Sequence, residues 1–569
     1  MNKLSRLFYT LIYLKPTQLA FFILRRKFQA KKVRVDDAIT KSFSSGARIE
    51  LSIPVQGGLK AKGEFEYLNQ YATMEDEVDW SARALPRLWG YNLHYFDYLR
   101  NDQVDDSYRF SLIESWINAN KENSQPGWEP FTCSLRIVNW LSFLSRFPEY
   151  QASKVLDSLY HQVMWLELND ERHILANHYF ENLKALLFAG VFFQGADADR
   201  WRKKATAELK AQLKEQTLDD GGHYERSPQY HSLMLENYLD IYNLVSSNSN
   251  YFQIDFTELL KHTAERGLHF LRDIVFPDGE IPLLNDSAFG SAPTLVQLEA
   301  YARRLFNFEP RAVPDSIINK PDFGLYGLRR GADMLVLDCG DIGPSYQPGH
   351  THCDFLSFEL MKSGQRIIVD TGVSEYEPGE SRRYLRSTQA HNTVVVNGLE
   401  QSEVWGEFRV ARRAKKRSAT ILEDEAGAQL QASFDGFYAS SWRRRPSFSH
   451  ARKMDVKLLK DAICSINVTD TICSIRSPNE AVYAESYIHF HPDIDILEAG
   501  LGSMGPSKSF SITSGGKEIA ILAVDARFET QLRETIYCPE FGKKDKNLCL
   551  LIAAKELGDL EFGYKLVFT

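Results

Sequence analysis

The sequence predicts a multidomain protein in which an all-α array or toroid precedes an antiparallel β-sandwich. Three observations predict this class. The chain has 569 residues, which is more than one hydrophobic core usually organises. Apolar residues recur at helical spacing from about residue 105 to residue 310. After about residue 320 they recur at every second position, which is typical of strands.

The helical half contains one amphipathic stripe after another. The apolar residues between Phe180 and Val191 are spaced by 3, 4 and 4 residues, so they lie on one helix face. Similar stripes lie at residues 106–119, 131–146, 153–167, 198–216, 229–245 and 256–274. The connections are short and often contain Gly, Pro or Asn, which favours a series of helical hairpins.

The second half contains short strands without intervening helices, which favours a sandwich over a parallel sheet. The predicted strands lie at residues 334–339, 355–360, 366–370, 393–397, 428–434, 549–554 and 564–568. Prolines cluster at 307–322 and mark the linker, and residues 45–75 resemble a small β-rich preface. We therefore expect an N-terminal segment and preface at 1–75, a helical domain at 76–315 and a sandwich at 316–569.

Composition excludes several classes of protein. The chain is 44% apolar and 25% charged, which excludes a disordered or collagen-like chain. A net charge of −8 gives no sign of nucleic-acid binding. The seven cysteines are odd in number and form no CxxC pair, so neither a disulfide framework nor a cysteine zinc site is expected.

Residues 1–32 are basic and rich in aromatic residues. Their apolar runs, 7–14 and 19–24, are both too short to span a bilayer. The segment either lies on an anionic membrane face or packs as a helix on its own domain. No small-residue cleavage site follows, so we expect a cytoplasmic or membrane-peripheral protein, with the periplasm as the alternative.

Three polar clusters interrupt these patterns. In residues 176–182, Asn177 is a candidate helix N-cap, whereas His178 and Asn182 share one helix face. In residues 219–231, a Gly-Gly turn precedes a helix start at Ser227-Pro228, and the crowded His, Tyr, Glu and Arg side chains are site candidates.

The third cluster combines residues 348–354 with the segments around Asp370 and His391. In a strand, His350 and His352 would point the same way. Imidazoles with one carboxylate form a plausible metal-ligand set, although an isolated HxH pair is weak evidence because solvated histidine pairs are common.

Five motifs resemble the heparinase II/III-like polysaccharide lyases in order and spacing. They are WEPFTCSLRIVNW at 128–140, NHYFENLKALLFAG at 177–190, GGHYERSPQYH at 221–231, PGHTHCDFLSFEL at 348–360 and RSTQAHNTVVVNG at 386–398. The resemblance covers roughly residues 85–420. It implies an incomplete (α/α) toroid followed by a layered antiparallel β-sandwich.

The resemblance implies β-elimination across C4–C5 of a uronic acid unit. Asn177, with His178, would donate hydrogen bonds to the substrate carboxyl group. Tyr230 would serve as base and acid for one face of the sugar, with Arg226 favouring its phenolate. His350 would be the base for the opposite C5 epimer.

The resemblance also assigns a metal, and residue chemistry adds a candidate binding surface. His352, Asp370 and His391 match the family's zinc ligands, and we expect a structural Zn²⁺ that holds the loop of His350. Candidate substrate-binding residues, offering aromatic faces or charged and polar groups, are Trp89, Tyr91, His94, Trp128, Arg136, Arg226, His231 and Arg386. For Trp89 and Trp128, packing in the core is the alternative interpretation. The basic runs 409–417 and 443–445 are either solvated strand faces or a positive rim that steers an acidic polymer.

Three functions remain open from the sequence. The leading hypothesis is a lyase for a uronic-acid-containing polysaccharide. The second is a uronyl C5-epimerase, which begins with the same proton abstraction. The third is a non-catalytic carbohydrate-binding protein, against which the joint presence of Asn177, Tyr230 and His350 argues. The expected partner is an acidic polysaccharide or oligosaccharide.

Overall fold

The computed structural model describes residues 3–27, 46–55, 57–74, 77–313, 315–439, 445–476, 479–501 and 507–569. In these ranges the predicted fold class is confirmed, since a helical first half is followed by an antiparallel second half. None of the helices in these ranges is both long enough and apolar enough to cross a membrane.

The helices begin and end close to the predicted stripes. They are α1 (Lys3–Leu11), α2 (Pro16–Lys27), α3 (Arg87–Tyr95), α4 (Asp106–Ala119), α5 (Pro130–Arg146), α6 (Ser153–Asn169), α7 (Ala176–Phe192), α8 (Ala196–Gln216), α9 (Pro228–Ser247), α10 (Ile254–Ile274), α11 (Leu295–Phe306) and α12 (Glu380–Leu385). Helix α7 packs against both α5 and α8, and α9 packs against α10 and α11. Almost every residue of α7 is buried, so this helix lies in the core of the helical half.

The strands in the described ranges form five antiparallel sheets. They are β1 (Gly58–Ala61), β2 (Glu64–Tyr67), β3 (Gln70–Thr73), β4 (Ile317–Lys320), β5 (Leu325–Arg330), β6 (Asp333–Asp338), β7 (Phe358–Lys362), β8 (Gln365–Ile368), β9 (Val394–Val396), β10 (Val404–Trp405), β11 (Arg409–Val410), β12 (Lys415–Asp424), β13 (Gly427–Gly436), β14 (Phe448–Leu459), β15 (Ala462–Ser474), β16 (Ala481–His489), β17 (Ile494–Leu501), β18 (Ser507–Ser514), β19 (Lys517–Asp525), β20 (Glu529–Tyr537), β21 (Asp545–Leu557) and β22 (Leu560–Phe568).

The sheet order explains the layered second half. The largest sheet has eight strands in the order β12-β13-β14-β15-β22-β19-β18-β17. A five-stranded sheet runs β4-β5-β6-β7-β8 and a four-stranded sheet runs β20-β21-β16-β9. Strands β1–β3 and the pair β10-β11 form the two small sheets. Apolar side chains from the three larger sheets share one core.

One predicted strand is partly wrong. The strand expected at 355–360 begins only at Phe358, because residues 349–357 form an irregular loop between β6 and β7. His350 and His352 lie in this loop, so the alternation of a strand does not set their directions. The side chain of His350 is 13% exposed, whereas that of His352 is fully buried.

The connection between α10 and α11 joins the two halves of the molecule. The backbone N–H of Asp286 donates to the carbonyl of His350 (3.0 Å). The backbone N–H of Asn285 donates to the Asp354 carboxylate (2.9 Å), and the Asn285 side-chain oxygen accepts from His352 N–H (3.0 Å). This connection therefore fixes the β6–β7 loop against the helical half.

Candidate active site

A group of polar side chains meets where the two halves touch. Asn177 lies in the first turn of α7, and Glu225 and Tyr230 flank the start of α9. Asp286 comes from the α10–α11 connection, and His350 comes from the β6–β7 loop. We call these five residues the cleft cluster. They come from four separate segments of the chain.

Local backbone geometry presents these side chains. Ser227 is the N-cap of α9 and its hydroxyl accepts from Tyr230 N–H (3.3 Å), with proline at the next position, as the sequence predicts. Three residues next to cluster members have a positive φ although they are not glycine: Ala176 (53°), Arg226 (58°) and Asn285 (56°). Ala176 precedes Asn177, Arg226 follows Glu225 and Asn285 precedes Asp286. Such conformations cost free energy and concentrate at functional sites.

His350 is the centre of the cleft cluster. Its Nδ1 lies 3.1 Å from an oxygen of Asp286, and its Nε2 lies 3.3 Å from an oxygen of Glu225. The Asn177 amide nitrogen lies 3.4 Å from the same Nε2. The imidazole stacks on the Tyr230 ring with centroids 3.6 Å apart and planes inclined by 26°. Asn177, Tyr230 and His350 are therefore close enough to contact one monosaccharide.

Asn177 is held by Glu225 and does not cap its helix. Helix α7 begins one residue earlier, so the N-cap interpretation of Asn177 is wrong. The Asn177 amide donates to both carboxylate oxygens of Glu225 (3.1 and 3.0 Å), and its backbone N–H donates to one of them (3.1 Å). Burial nevertheless raises the pKa of Glu225 above its ordinary value.

Asp286 differs from Glu225, because its pKa is lowered and not raised. It is fully buried, and burial alone opposes its ionisation. Arg382 donates to it (Nη2 to Oδ2, 2.8 Å), and His350 and His352 lie at hydrogen-bonding distance. These partners outweigh burial and hold the pKa of Asp286 well below its ordinary value. Asp286 is therefore ionised and contributes a fixed negative charge to the site.

The hydroxyl group of Tyr230 lies close to a second phenol. That oxygen lies 3.4 Å from the Tyr376 hydroxyl. Burial raises the pKa of Tyr230 above the ordinary 10, although Tyr376 and Arg382 act in the opposite direction. Arg226 does not act on Tyr230, because its guanidinium donates to the carbonyls of Asp341 (2.6 Å) and Asp322 (2.9 Å). The predicted role of Arg226 is corrected, and Arg382 supplies a positive charge that favours the Tyr230 phenolate.

His178 lies beside the cleft cluster. Its Nδ1 lies 3.1 Å from a Glu171 oxygen, and its side chain is 35% exposed. Burial lowers the pKa of His178, but the charge and hydrogen bond of Glu171 together with the charges of Glu225 and Glu129 outweigh burial and raise the pKa overall. Asn182, on the same helix face, is buried and donates to Glu171 (3.1 Å). His178 therefore offers a polar group to the cleft, whereas Asn182 holds Glu171.

A second polar group lies behind His350 in the sandwich. The side chains of His352, Asp354 and His391 each place one ligand atom within 4.8 Å of the others, and all three are buried. Within the described ranges, His352 Nδ1 and His391 Nε2 have no hydrogen-bond partner. We call these three residues the buried ligand cluster. Two orphaned imidazole nitrogens beside a carboxylate fit a bound cation such as zinc.

Asp370 occupies a different position from the predicted one. One of its oxygens lies 2.8 Å from His391 Nδ1, whereas the orphaned nitrogen of that ring is Nε2. The same carboxylate accepts from Ser357 Oγ (3.3 Å), and its second oxygen accepts from Gly372 N–H (3.1 Å). Asp370 therefore orients His391. Asp354 is the carboxylate that lies among the ligand atoms.

Most of the predicted sugar-binding residues of the first helices are core residues. Trp89, His94 and Arg136 have no exposed surface, and Trp128 is 6% exposed. Arg136 donates to Gln162 Oε1 and stacks on Trp116 at 3.9 Å. These four predictions are corrected, because buried side chains cannot contact a polymer. Tyr91 is partly exposed and donates to Glu129.

Two further predicted binding residues are also structural. His231 accepts from His223 N–H at Nδ1 (3.2 Å), its Nε2 lies 3.0 Å from the Gly267 carbonyl, and burial lowers its pKa to about 4. Arg386 is 1% exposed and donates to the Thr351 carbonyl (3.0 and 3.1 Å). Arg386 therefore holds the loop between His350 and His352. Neither His231 nor Arg386 reaches the cleft.

Several arginines of the predicted basic rim already pair or stack with other residues of the protein. Arg412 is buried and pairs with Glu403, and Arg413 is buried over the Tyr13 ring at 3.8 Å. Arg417 pairs with Asp435. Of the second run, Arg443 and Arg444 lie outside the described residues. The run 409–417 is thus mainly a structural feature of the sandwich.

Some site residues carry a sequence signal and others do not. Glu225 lies inside a recognised motif, and the crowding of His, Tyr, Glu and Arg side chains in residues 219–231 is the signal that points to it. Asp286, Tyr376 and Arg382 come from segments outside the five motifs. Phe408 is 41% exposed, 6.5 Å from the His350 ring and 5.4 Å from the Tyr376 ring, so it offers an apolar face beside the imidazole.

Two family models match almost the whole chain. The model described as heparinase II/III N-terminus matches residues 26–310. The model described as heparinase II/III-like, C-terminal matches residues 313–560.

Individual relatives are distant. A heparin-sulfate lyase of Bacteroides stercoris is 22% identical over 54% of this chain and 50% of its own length, so the chain spans about half of that relative. The FtsZ-localized protein C of Caulobacter vibrioides is 23% identical over 72% of this chain and 70% of its own length. The crystal structure of the heparan sulfate lyase HepC from Pedobacter heparinus superposes with a TM-score of 0.56 at 17% identity, covering 89% of this chain and 81% of that one. This structural likeness shows a shared fold.

Proposed function

Because this chain belongs to the heparinase II/III family, we propose that it is a polysaccharide lyase that acts on a uronic-acid-containing polymer by β-elimination. One observation carries the proposal: an amide, a phenol and an imidazole from both halves of the molecule meet within one monosaccharide's width. Elimination needs a donor for the carboxyl group, a base for the C5 proton and an acid for the leaving O4.

Asn177 and Glu225 are the proposed carboxyl-binding pair. Removal of the C5 proton places a second negative charge on the substrate carboxylate, which a positioned N–H donor stabilises. The raised pKa of Glu225 favours its protonated form, and an incoming carboxylate would raise it further. Protonated Glu225 would then donate an O–H beside the Asn177 N–H. Loss of one such donor typically costs ~3–4 kcal/mol of activation free energy.

His350 is the proposed base. Asp286 is held ionised, so it accepts a hydrogen bond from His350 Nδ1–H and leaves the Nε2 lone pair free to take a proton. Nε2 faces Asn177 and Glu225. C5 is bonded to the carboxyl carbon, so a carboxyl group held by that pair would bring its C5 proton next to Nε2.

Tyr230 is the proposed acid. Its raised pKa keeps the phenol protonated near neutral pH, which suits proton donation to O4 as the C4–O4 bond breaks. Arg382 and the Tyr376 hydroxyl would stabilise the phenolate that is left. The Tyr230 phenolate then regains a proton and His350 loses one before the next turnover.

A metal is proposed for the buried ligand cluster. His352, Asp354 and His391 would hold a zinc ion, with Asp370 orienting His391. A bound zinc ion would hold these three side chains together and so supply a structural link. His352 Nε2 also lies 2.8 Å from Asp286 Oδ1, so a fixed His352 would hold the carboxylate that orients His350. The proposed role of the ion is thus to position the base.

The test is a screen of acidic polysaccharides, monitored by the ultraviolet absorbance of a 4,5-unsaturated product. We expect absorbance to rise with at least one uronate polymer and to stay flat with the same polymer after its carboxyl groups are reduced to alcohols. Exchange of C5 hydrogen for solvent deuterium without absorbance would instead identify an epimerase. Polymer binding with neither signal would contradict catalysis.

A further inference from the structure

The two N-terminal helices carry an unusual share of the exposed apolar surface. Among the described residues, 21 large hydrophobic side chains are exposed, and eight of them lie between residues 4 and 23. Monomeric proteins rarely concentrate exposed apolar side chains in this way unless the patch binds something. The patch therefore calls for a binding partner.

Helix α1 has two different faces. Leu7, Phe8 and Leu11 are 44%, 55% and 41% exposed and lie on one side at spacings of one, three and four residues. Tyr9 is 5% exposed, and the Thr10 hydroxyl accepts from Trp405 Nε1–H (3.1 Å). One face of α1 is thus packed on the sandwich while its apolar stripe points away from it.

Helix α2 repeats this arrangement on the other half of the molecule. Gln18 is 2% exposed and donates to the Ile174 carbonyl (3.2 Å), just before α7. Lys15, between the helices, pairs with Glu215 and lies 4.0 Å from the Tyr346 ring centroid. Leu19 and Ile23 are 36% and 53% exposed. The helix pair is therefore fixed to both halves, and its apolar residues keep a defined direction.

Charge selects the occupant of this surface. Residues 1–35 contain nine Lys and Arg residues and no Asp or Glu, whereas the whole chain has a net charge of −8. A basic helix with an exposed apolar face matches the headgroup region of an anionic bilayer, where the apolar side chains enter the interface and the cations meet lipid phosphates. A purely apolar protein partner would not call for this charge excess.

We propose that α1 and α2, through their exposed apolar side chains Leu7, Phe8, Leu11, Leu19 and Ile23, dock this protein on an anionic lipid surface. Helices of 9 and 12 residues are shorter than the ~20 residues a spanning helix needs, so the pair lies on the bilayer. Because the other faces of the helices contact both halves, docking also sets the direction of the cleft relative to the lipid.

The test is co-sedimentation of the full chain with vesicles of equal parts phosphatidylglycerol and phosphatidylcholine, and with vesicles of phosphatidylcholine alone. We expect binding to the anionic vesicles that weakens as salt screens the charges. The double variant Leu7→Gln with Phe8→Gln should bind about tenfold more weakly or worse. A control double variant, Leu422→Gln with Leu497→Gln, removes two apolar side chains from the sandwich that are even more exposed than Leu7 and Phe8, and it should bind like wild type.

Melting temperatures of both double variants should match wild type, since all four side chains are exposed. The proposal is overturned if wild type ignores anionic vesicles, or if the Leu7/Phe8 variant binds them as tightly as wild type. It is also overturned if the apolar face instead holds a second copy, seen as a dimer that the Leu7/Phe8 variant converts to a monomer without any vesicle binding. None of these readouts depends on lyase activity.

Discussion

The cleft cluster and the buried ligand cluster use the same residue types in opposite ways. His350 and His352 are two residues apart in one loop and both contact the Asp286 carboxylate. His350 is partly exposed, stacked on Tyr230 and surrounded by groups that can exchange protons. His352 is fully buried, and burial lowers its pKa to about 3, so it stays neutral.

The difference shows that environment, and not residue type or spacing, assigns the role of each imidazole. A neutral imidazole with an orphaned nitrogen suits a metal ligand, whereas an imidazole at a cleft with an ionised carboxylate behind it suits a base. Asp286 connects the two clusters, because each of its oxygens faces one histidine. Function in the cleft is thus expected to depend on order in the buried cluster.

Replacing Tyr230 should give the largest effect and should fall on the cleft cluster alone. We expect Tyr230→Phe to lower kcat by about 10³-fold or more while polymer binding stays near wild type, because only the proton-donating hydroxyl is lost. Tyr376→Phe is the matched control: it removes a hydroxyl that contacts Tyr230 but not the proposed leaving group, so about a tenfold loss is expected. Near-normal turnover in Tyr230→Phe would remove Tyr230 from the mechanism.

Replacing Asp286 should break both clusters together. Asp286→Asn leaves the buried Arg382 charge without its anion, which we expect to lower the free energy of unfolding by ~3–5 kcal/mol. Turnover and metal content should fall as well. In the control Asp278→Asn, the carboxylate is partly exposed and Arg366 keeps Glu359, so a loss of at most ~1 kcal/mol is expected in denaturant titration. Equal stability losses in the two variants would contradict the central position of Asp286.

Replacing a proposed ligand tests the buried cluster. The purified wild type should contain zinc by elemental analysis, and His391→Ala should lower both its metal content and its melting temperature. His450→Ala offers a buried control in the same sandwich, because its partner is Asp470 and not a ligand atom. This control should lower the melting temperature while retaining the metal. A metal-free wild type would refute the proposed ligand set.

Replacing Glu225 should give the smallest and most pH-dependent effect on stability. Burial raises the folded-state pKa of Glu225, so wild type loses stability as pH rises from the ordinary value of 4.5 through that raised pKa. Glu225→Gln carries no such penalty. The melting temperature of the variant should therefore rise relative to that of wild type as pH rises through this window. At lower pH the two melting temperatures should be equal. If the melting temperature of the variant instead falls relative to that of wild type as pH rises, ionisation of Glu225 does not destabilise the folded protein.

The sequence predicts the helical half well because amphipathic spacing is a direct consequence of burial. Helices α4 and α10 match their predicted stripes almost residue for residue, and the Ser227-Pro228 start of α9 follows from capping chemistry alone. The sequence does not predict the end of the β6–β7 loop. Residues 355–360 have the apolar pattern of a strand, but only residues 358–360 pair with β6.

The site was predicted only where a motif carries it. Asn177, Tyr230 and His350 meet as expected, but Asp286 and Arg382 come from irregular segments in which no periodicity marks a partner. The error over Trp89 and Arg136 has a different cause. Aromatic and arginine side chains serve a core as well as they serve a sugar, and only burial separates the two uses.

The most direct test of the whole account is a paired measurement of kcat and melting temperature in His350→Ala and His352→Ala. We predict that His350→Ala loses turnover by about 10²-fold or more and keeps a melting temperature and metal content close to wild type. His352→Ala should lose metal and melting temperature, with any loss of turnover following that loss of order. If the two variants lose turnover, metal and stability in equal measure, the division between a cleft that reacts and a buried cluster that supports it is contradicted.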